Sequence, residues 1–389
     1  MNDLQTIVFY LLVFFISIGL CRELQPRFDL YRGSGRIFPA FIVCCVVSFP
    51  LIFVAAFRDV SVGVDTLMYA MKYNIVKTMS LSEMFADYGE DYLYSLILYV
   101  SSHLFDKPYA YFGLMQAFVI IPLLMLSVKY SNKVDVWKIL AIYCFWYYND
   151  SLNIIRQMVA VVFVFVAFDF LQEQKKWKAL LLFLIGYGFH SSAMMIGIPM
   201  FIIYAAVKKN LSLTKKIIIV GLVVLVLVQG QNLFVNLIDA GALSSRYNLY
   251  ADTFISGTSR MVNSWISVGF GGVFESVFRS LVLLAVIVFV NRNDRFRGFD
   301  LFALFFAIGI LIYSVGLIFY KTAYFVRLSL YFDIFGMYLL GSLDQKGTLT
   351  IIDNHRIGLF SFWISIVYWF THVYLLTQSR SIPYTFTQF

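Results

Sequence analysis

Apolar runs alternate with short polar stretches along nearly the whole chain, and the runs are unbroken rather than alternating residue by residue. That pattern predicts helices long enough to cross a hydrocarbon layer and excludes the ten-residue alternating segments of a transmembrane barrel. The predicted spans are 4–21, 37–56, 109–127, 137–149, 155–171, 178–189, 191–207, 216–237, 274–290, 299–320, 323–343 and 357–376. The sixth and seventh also read as one long helix broken at GYGFHSS. Residues 92–105 (YLYSLILYVSSHLF) are apolar and helical, but a full crossing there breaks the alternation of sides; they are expected to form a re-entrant or tilted interfacial helix. With no internal repeat and no low-complexity linker, residues 1–389 read as a single integral membrane domain.

Composition agrees with an all-α polytopic protein of about 12 spans. Of the 389 residues 61% are hydrophobic and 13% charged, about half the charged share of a soluble domain; mean hydropathy is +0.80. The first segment has no basic leader and no small-residue cleavage site, so it is expected to stay as a membrane helix. The net charge of +8 does not imply nucleic acid, because the basic residues fall in clusters between apolar runs, where they set orientation. Arg22, Arg27, Arg32 and Arg36 mark one cytoplasmic loop. Lys129, Lys133 and Lys138 mark a second, Lys175, Lys176 and Lys178 a third, Lys208, Lys209, Lys215 and Lys216 a fourth, and Arg292, Arg295 and Arg297 a fifth. Both termini then face outward, with long outer loops near 57–91 and 238–273 that are larger than simple connectors. Cys21, Cys44, Cys45 and Cys144 have no metal-ligand spacing and predict neither a disulfide nor a zinc site.

Against that background several polar residues stand out. The first loop reads FRDVSVGVDTLMY, which sets Arg58, Asp59 and Asp65 around Gly63 just after an apolar helix. An arginine snorkelling to the headgroups, paired with Asp59 or Asp65, is the bland reading. Two carboxylates without a third ligand make a weak metal signal, and no metal is expected. Arg156 opens a span in NIIRQMVAVVFVFVAF, where a cation is costly and faces a cavity or a partner; a salt bridge at the helix start is the alternative. His190 lies at the break in GYGFHSSAMM, and irregular backbone at membrane depth is tolerated where it is buried or lines water. Arg279 sits one turn after Glu275, as an i,i+4 ion pair would. Arg327 lies inside YFVRLSLYF, and Arg246 and Arg260 lie in the second outer loop beside GFGG at 269–272. Several arginines on one membrane face suit phosphate oxygens, which guanidinium forks match in geometry and charge.

These stretches are familiar as a set. FRDVSVGVDTLMY resembles the R-x-x-(T/S)-V-G-x-D-T-x-x-Y signature of EpsG-like exopolysaccharide polymerases, with Gly63-Val64-Asp65-Thr66 where the family usually reads G-T-D-T. NIIRQMVA resembles their arginine-led helix start, FHSSAMM their F-H-x-S motif, and YFVRLSLYF and IPYTF their late motifs. The resemblance runs from about residue 57 to the C-terminus, and it is the order and spacing of the motifs together that carries it.

The resemblance implies a Wzy-type polymerase of bacterial surface polysaccharide with a GT-C-like helical fold and no cofactor. Such an enzyme moves a growing glycan from undecaprenyl pyrophosphate onto the next lipid-linked repeat unit, at the outer face of the inner membrane, in some systems with a chain-length regulator. The expected roles are His190, Arg156 and Asp65 in catalysis and Arg58, Arg327, Arg260, Arg246 and Arg279 in substrate binding. Imidazole has the intrinsic pKa of a general base for a sugar hydroxyl, with Asp65 the alternative. Two other functions fit the same residues: a flippase of lipid-linked oligosaccharide, and an O-antigen-ligase-like transferase.

Overall fold

With no water in a hydrocarbon layer, long apolar sequence satisfies its backbone only by bonding within itself. The computed structural model describes residues 1–32, 35–208, 212–239, 270–290, 295–316, 323–344, 360–377 and 379–387, with side chains described at all of these except 90, 227–239, 270, 323, 324 and 344. The helices in chain order are α1 (Asp3–Glu23), α2 (Gln25–Tyr31), α3 (Ile37–Ala56), α4 (Thr66–Val76), α5 (Leu81–Tyr88), α6 (Tyr92–Leu104) and α7 (Tyr109–Tyr130). They continue as α8 (Val136–Trp146), α9 (Tyr148–Ser151), α10 (Ile155–Gln172), α11 (Lys176–Phe189), α12 (Ser192–Val207) and α13 (Leu213–Asp239). The last are α14 (Phe270–Phe289), α15 (Phe299–Val315), α16 (Ala323–Asp333), α17 (Gly336–Gly341) and α18 (Phe360–Trp369), which runs on into a wider turn at Phe370–Leu375. Among the described residues there is no strand, only one isolated bridge between Arg58 and Phe386.

Five described helices are long and apolar enough to cross a membrane: α1, α3, α7, α10 and the Gly271–Phe289 part of α14. Shorter apolar helices lie at Val136–Trp146, Ser192–Val207, Phe299–Val315 and Phe360–Leu375. The centre of the bundle is α8 and α10, whose residues are nearly all buried. Around them α7 packs on α3 and α10, α11 on α10, α18 on α8, and α15 on both α14 and α16.

Two expected spans are broken. The stretch expected as 137–149 stops at Trp146, and the short α9 follows. Tyr147 and Tyr148 flank that break and bond to opposite neighbours: the Tyr147 hydroxyl donates to Asp333 O at 2.9 Å and the Tyr148 hydroxyl to Leu51 O at 2.8 Å. The stretch expected as 323–343 breaks after Asp333, whose freed carbonyl is the one Tyr147 satisfies, as a buried helix end requires. The 178–207 region is two helices, with His190 in an extended conformation between them (φ −159°, ψ 123°). Residues 92–104 form a 13-residue helix, shorter than the roughly 20 residues of a full crossing.

The loop 57–65 is tied down from both sides. Asp59 N donates to Thr385 O at 2.8 Å, Thr387 N to Phe57 O at 3.0 Å and Gly63 N to Arg380 O at 3.0 Å. Asn153 holds the other flank, accepting from Val64 N at 2.6 Å and donating to Ser379 O at 2.7 Å. The Tyr384 hydroxyl reaches Val54 O at 2.9 Å. Gly63 adopts φ +95°, and a Cβ there would run into the Asn153 carboxamide. Gly63→Ala is therefore expected to lower the thermal midpoint: the left-handed backbone alone costs about 1–2 kcal/mol for a residue with a Cβ, and the overlap adds to it. An unchanged midpoint would mean that the Asn153 clamp gives way freely.

Candidate functional site

Arg58 caps the end of α3, where the last carbonyls have no helical partner. Its Nη1 donates to Ala55 O at 2.5 Å, Nη2 to Leu152 O at 3.1 Å and Nε to Thr66 Oγ1 at 3.4 Å, and the guanidinium lies 4.2 Å from the centre of the Phe112 ring. The side chain is buried, and burial pulls its pKa below the usual arginine value. Asp59 and Asp65 were the expected partners for this arginine, but the structure uses them differently. Asp59 takes Ser61 N and Oγ at 3.0 and 2.7 Å, while Asp65 receives Arg327 Nη2 at 3.3 Å from 262 residues away.

That contact opens a polar cluster built from five parts of the chain. Asp65 and Tyr69 come from the start of α4, Asp91 and Tyr94 from the start of α6, and Arg156 from the first turn of α10. His190, Ser191 and Ser192 come from the junction of α11 and α12, and Arg327 and Tyr331 from one face of α16. Arg156 Nη1 donates to Asp91 Oδ2 at 2.6 Å, and its guanidinium lies 4.8 Å from the Tyr94 ring centre. The other Asp91 oxygen accepts from Ser191 N at 3.0 Å, so one carboxylate fixes Arg156 against the histidine turn. Gln157, beside Arg156, donates to Arg327 O at 2.9 Å and ties α10 to α16.

His190 Nδ1 lies 2.7 Å from Ser192 Oγ, which in turn lies 2.8 Å from the Tyr331 hydroxyl. Nδ1 also accepts from the Ser192 backbone N–H at 3.2 Å, so in the neutral imidazole the ring hydrogen sits on Nε2, as a donor. Asp65 is largely buried, and burial raises its carboxyl pKa above the ordinary aspartate value, with Arg327 and Arg156 pulling the other way. The arrangement offers two guanidinium groups, each oriented by a carboxylate, beside an imidazole and several hydroxyls. Such a set can meet a charged phosphate and take a proton from a sugar hydroxyl.

Arg279 belongs to a different cluster on the other side of α16. Its Nη1 donates to Asp333 Oδ2 at 2.5 Å and Nη2 to the Tyr368 hydroxyl at 3.1 Å. The expected pair with Glu275 is present at 3.3 Å, but the bond to Asp333 is the shorter one. Glu275 also accepts from the Tyr313 hydroxyl at 2.6 Å and meets His372 Nδ1 at 2.5 Å, while His372 Nε2 lies 3.2 Å from Asp150. Ser329 Oγ donates to Asp333 at 2.7 Å. Thus α16 presents Arg327 and Tyr331 to one cluster and Ser329 and Asp333 to the other.

A model of the EpsG family matches residues 41–386, nearly the whole chain. The protein belongs to the EpsG family. No curated protein and no solved structure matches it.

In this EpsG-family chain the motifs that carry the resemblance converge in space. The structure brings Asp65, Arg156, His190 and Arg327 into one cluster and leaves Arg58 and Arg279 outside it, each bonded to other protein groups. Arg246 and Arg260 lie outside the described residues. Sequence reasoning missed Asp91, Tyr69, Tyr94, Ser192 and Tyr331, as well as Asp150, Asp333 and His372. Asp333 and His372 had a signal, since each is an ionisable residue inside an apolar run; Asp91, at the head of an interfacial segment, had none. Among the described residues no group of three or more His, Cys, Asp or Glu side chains is placed to hold a metal ion.

Proposed function

We propose that this EpsG-family protein is a Wzy-type polysaccharide polymerase. It would act at the outer face of a bacterial inner membrane, within a GT-C-like bundle of about 12 spans, on oligosaccharide repeat units carried by undecaprenyl pyrophosphate. One observation carries the reading: Arg156 and Arg327, each fixed by a carboxylate, stand in one cluster with His190. Asp65 takes the proton of the acceptor hydroxyl as that oxygen bonds to the anomeric carbon of the donor glycan, and His190 orients that hydroxyl. The bond from that carbon to the pyrophosphate oxygen breaks, and the leaving pyrophosphate keeps the electron pair. Arg156 and Arg327 meet the charge that develops there, a form of stabilisation that is large when the donors are already in position. Arg246 and Arg260 remain candidates for gripping substrate. Arg58, with its nitrogens committed to protein oxygens, positions the 57–65 loop, and Arg279 supports the packing of α16. A chain-length regulator is the expected protein partner.

The test is polymerisation by the purified protein in liposomes given the host's lipid-linked repeat unit, with chelator present. Wild type is expected to give a ladder of products, and His190→Gln none while melting at the same temperature. A wild-type ladder from His190→Gln would remove the histidine from the mechanism. No ladder from well-folded wild type would move the function to a flippase or a ligase.

A further inference from the structure

Away from both ionic clusters, a cavity of about 460 Å³ opens where α13, α14 and α15 meet, within the usual size range of small-ligand sites of about 300–1,000 Å³. Its polar lining is Lys216 in the first turn of α13, Arg295 just before α15, and Asp300 in the first turn of α15. Two cations thus face one carboxylate. Arg295 Nη1 donates to Asp300 at 3.0 Å, and its guanidinium lies 4.6 Å from the Phe299 ring centre. Its Nε is buried and finds no acceptor among the described residues, and a buried donor without a partner is costly. The rest of the wall is apolar, and it continues outward as bare helix: Ile287 and Val288 on α14 and Ile217 and Ile218 on α13 are all at least half exposed.

We infer that this cavity binds the headgroup of an anionic phospholipid, of the class whose phosphodiester carries glycerol hydroxyls. The phosphodiester oxygens accept from Lys216 Nζ and Arg295, and a headgroup hydroxyl donates to the free oxygen of Asp300. The acyl chains lie along the exposed α13 and α14 faces. The amphiphilic character of the site selects a lipid over a free anion, because a charged cup with an apolar apron matches a molecule that has both parts. Basic pockets between membrane helices are where such headgroups collect. The site is independent of the glycosyl-transfer reading and holds whichever reaction the protein performs.

Delipidated full-length protein would be titrated with phosphatidylglycerol or phosphatidylcholine and followed by native mass spectrometry. Its thermal midpoint would be read in parallel with inorganic phosphate added instead of lipid. Phosphatidylglycerol is expected to bind in preference to phosphatidylcholine. Lys216→Ala should weaken it about fivefold and Lys216→Ala with Arg295→Ala about 25-fold, the scale of one and two basic residues beside anionic lipid. Lys216→Ala keeps the Arg295–Asp300 pair and so separates lost binding from lost folding. Equal binding of the two lipids, or undiminished phosphatidylglycerol binding by Lys216→Ala, would overturn the proposal. Stabilisation by inorganic phosphate alone equal to that by lipid would do the same, leaving a free-anion site.

Discussion

Arg156→Lys is expected to lower chain elongation about 100- to 1,000-fold, the scale of losing one positioned donor to a developing anion, while leaving the thermal midpoint nearly unchanged. Lysine keeps a positive charge beside Asp91, so the buried carboxylate is not stranded. It lacks the planar fork that can hold Asp91 with one nitrogen and a phosphate with the others. Arg156→Ala would be a poorer experiment. Asp91 is 2% exposed, and leaving such a carboxylate without its cation costs about 3–5 kcal/mol, which confuses lost chemistry with lost structure. The measurements are ladder formation and thermal unfolding on the same preparation. A lysine variant that elongates at the wild-type rate would show that charge near Asp91 suffices and that Arg156 makes no directed contact with substrate.

The second large effect falls on stability. Asp333→Ala is expected to destabilise the fold by about 3–5 kcal/mol, because it strands a buried cation. Arg279 is 5% exposed, and Asp333 is its shortest contact. Glu275 cannot take over alone, since it already serves His372 and Tyr313 as well. Adding Arg279→Met should recover part of the loss, because a buried pair replaced by apolar side chains of similar volume is often close to neutral. The protein yield after membrane extraction and the thermal midpoint would be compared across wild type, Asp333→Ala and the double variant. A wild-type midpoint for the single variant would mean that water or a neighbouring group reaches Arg279 once the aspartate is gone.

Helix after helix was legible because apolar runs record their own length: α3 begins and ends where the hydrophobic pattern does. Breaks were not legible where side chains from elsewhere cause or cap them. The end of α16 depends on a tyrosine hydroxyl from position 147, and nothing near Asp333 announces it. The same contrast divides the site. Arg156, His190 and Arg327 were readable because a cation or a histidine in apolar sequence needs a reason to be there. Their partners were not readable from spacing, since Asp91 lies 65 residues from Arg156 and Asp65 lies 262 from Arg327. Arg58 was read toward a substrate because sequence shows that an arginine is present but not which oxygens surround it. Its destinations, the carbonyls of Ala55 and Leu152, exist only after α3, α9 and α10 have come together.

The two faces of α16 bear on how this chain can change over time. One residue advances a helix by about 100°, so inserting or deleting a single position within α16, between Arg327 and Asp333, breaks the register of both faces at once. Arg327 and Tyr331 could then no longer reach one cluster while Ser329 and Asp333 reached the other. Substitutions on either face can be tried one at a time, but the spacing within α16 cannot drift. A substitution on one face leaves the other cluster in place, whereas a change of length inside α16 costs both.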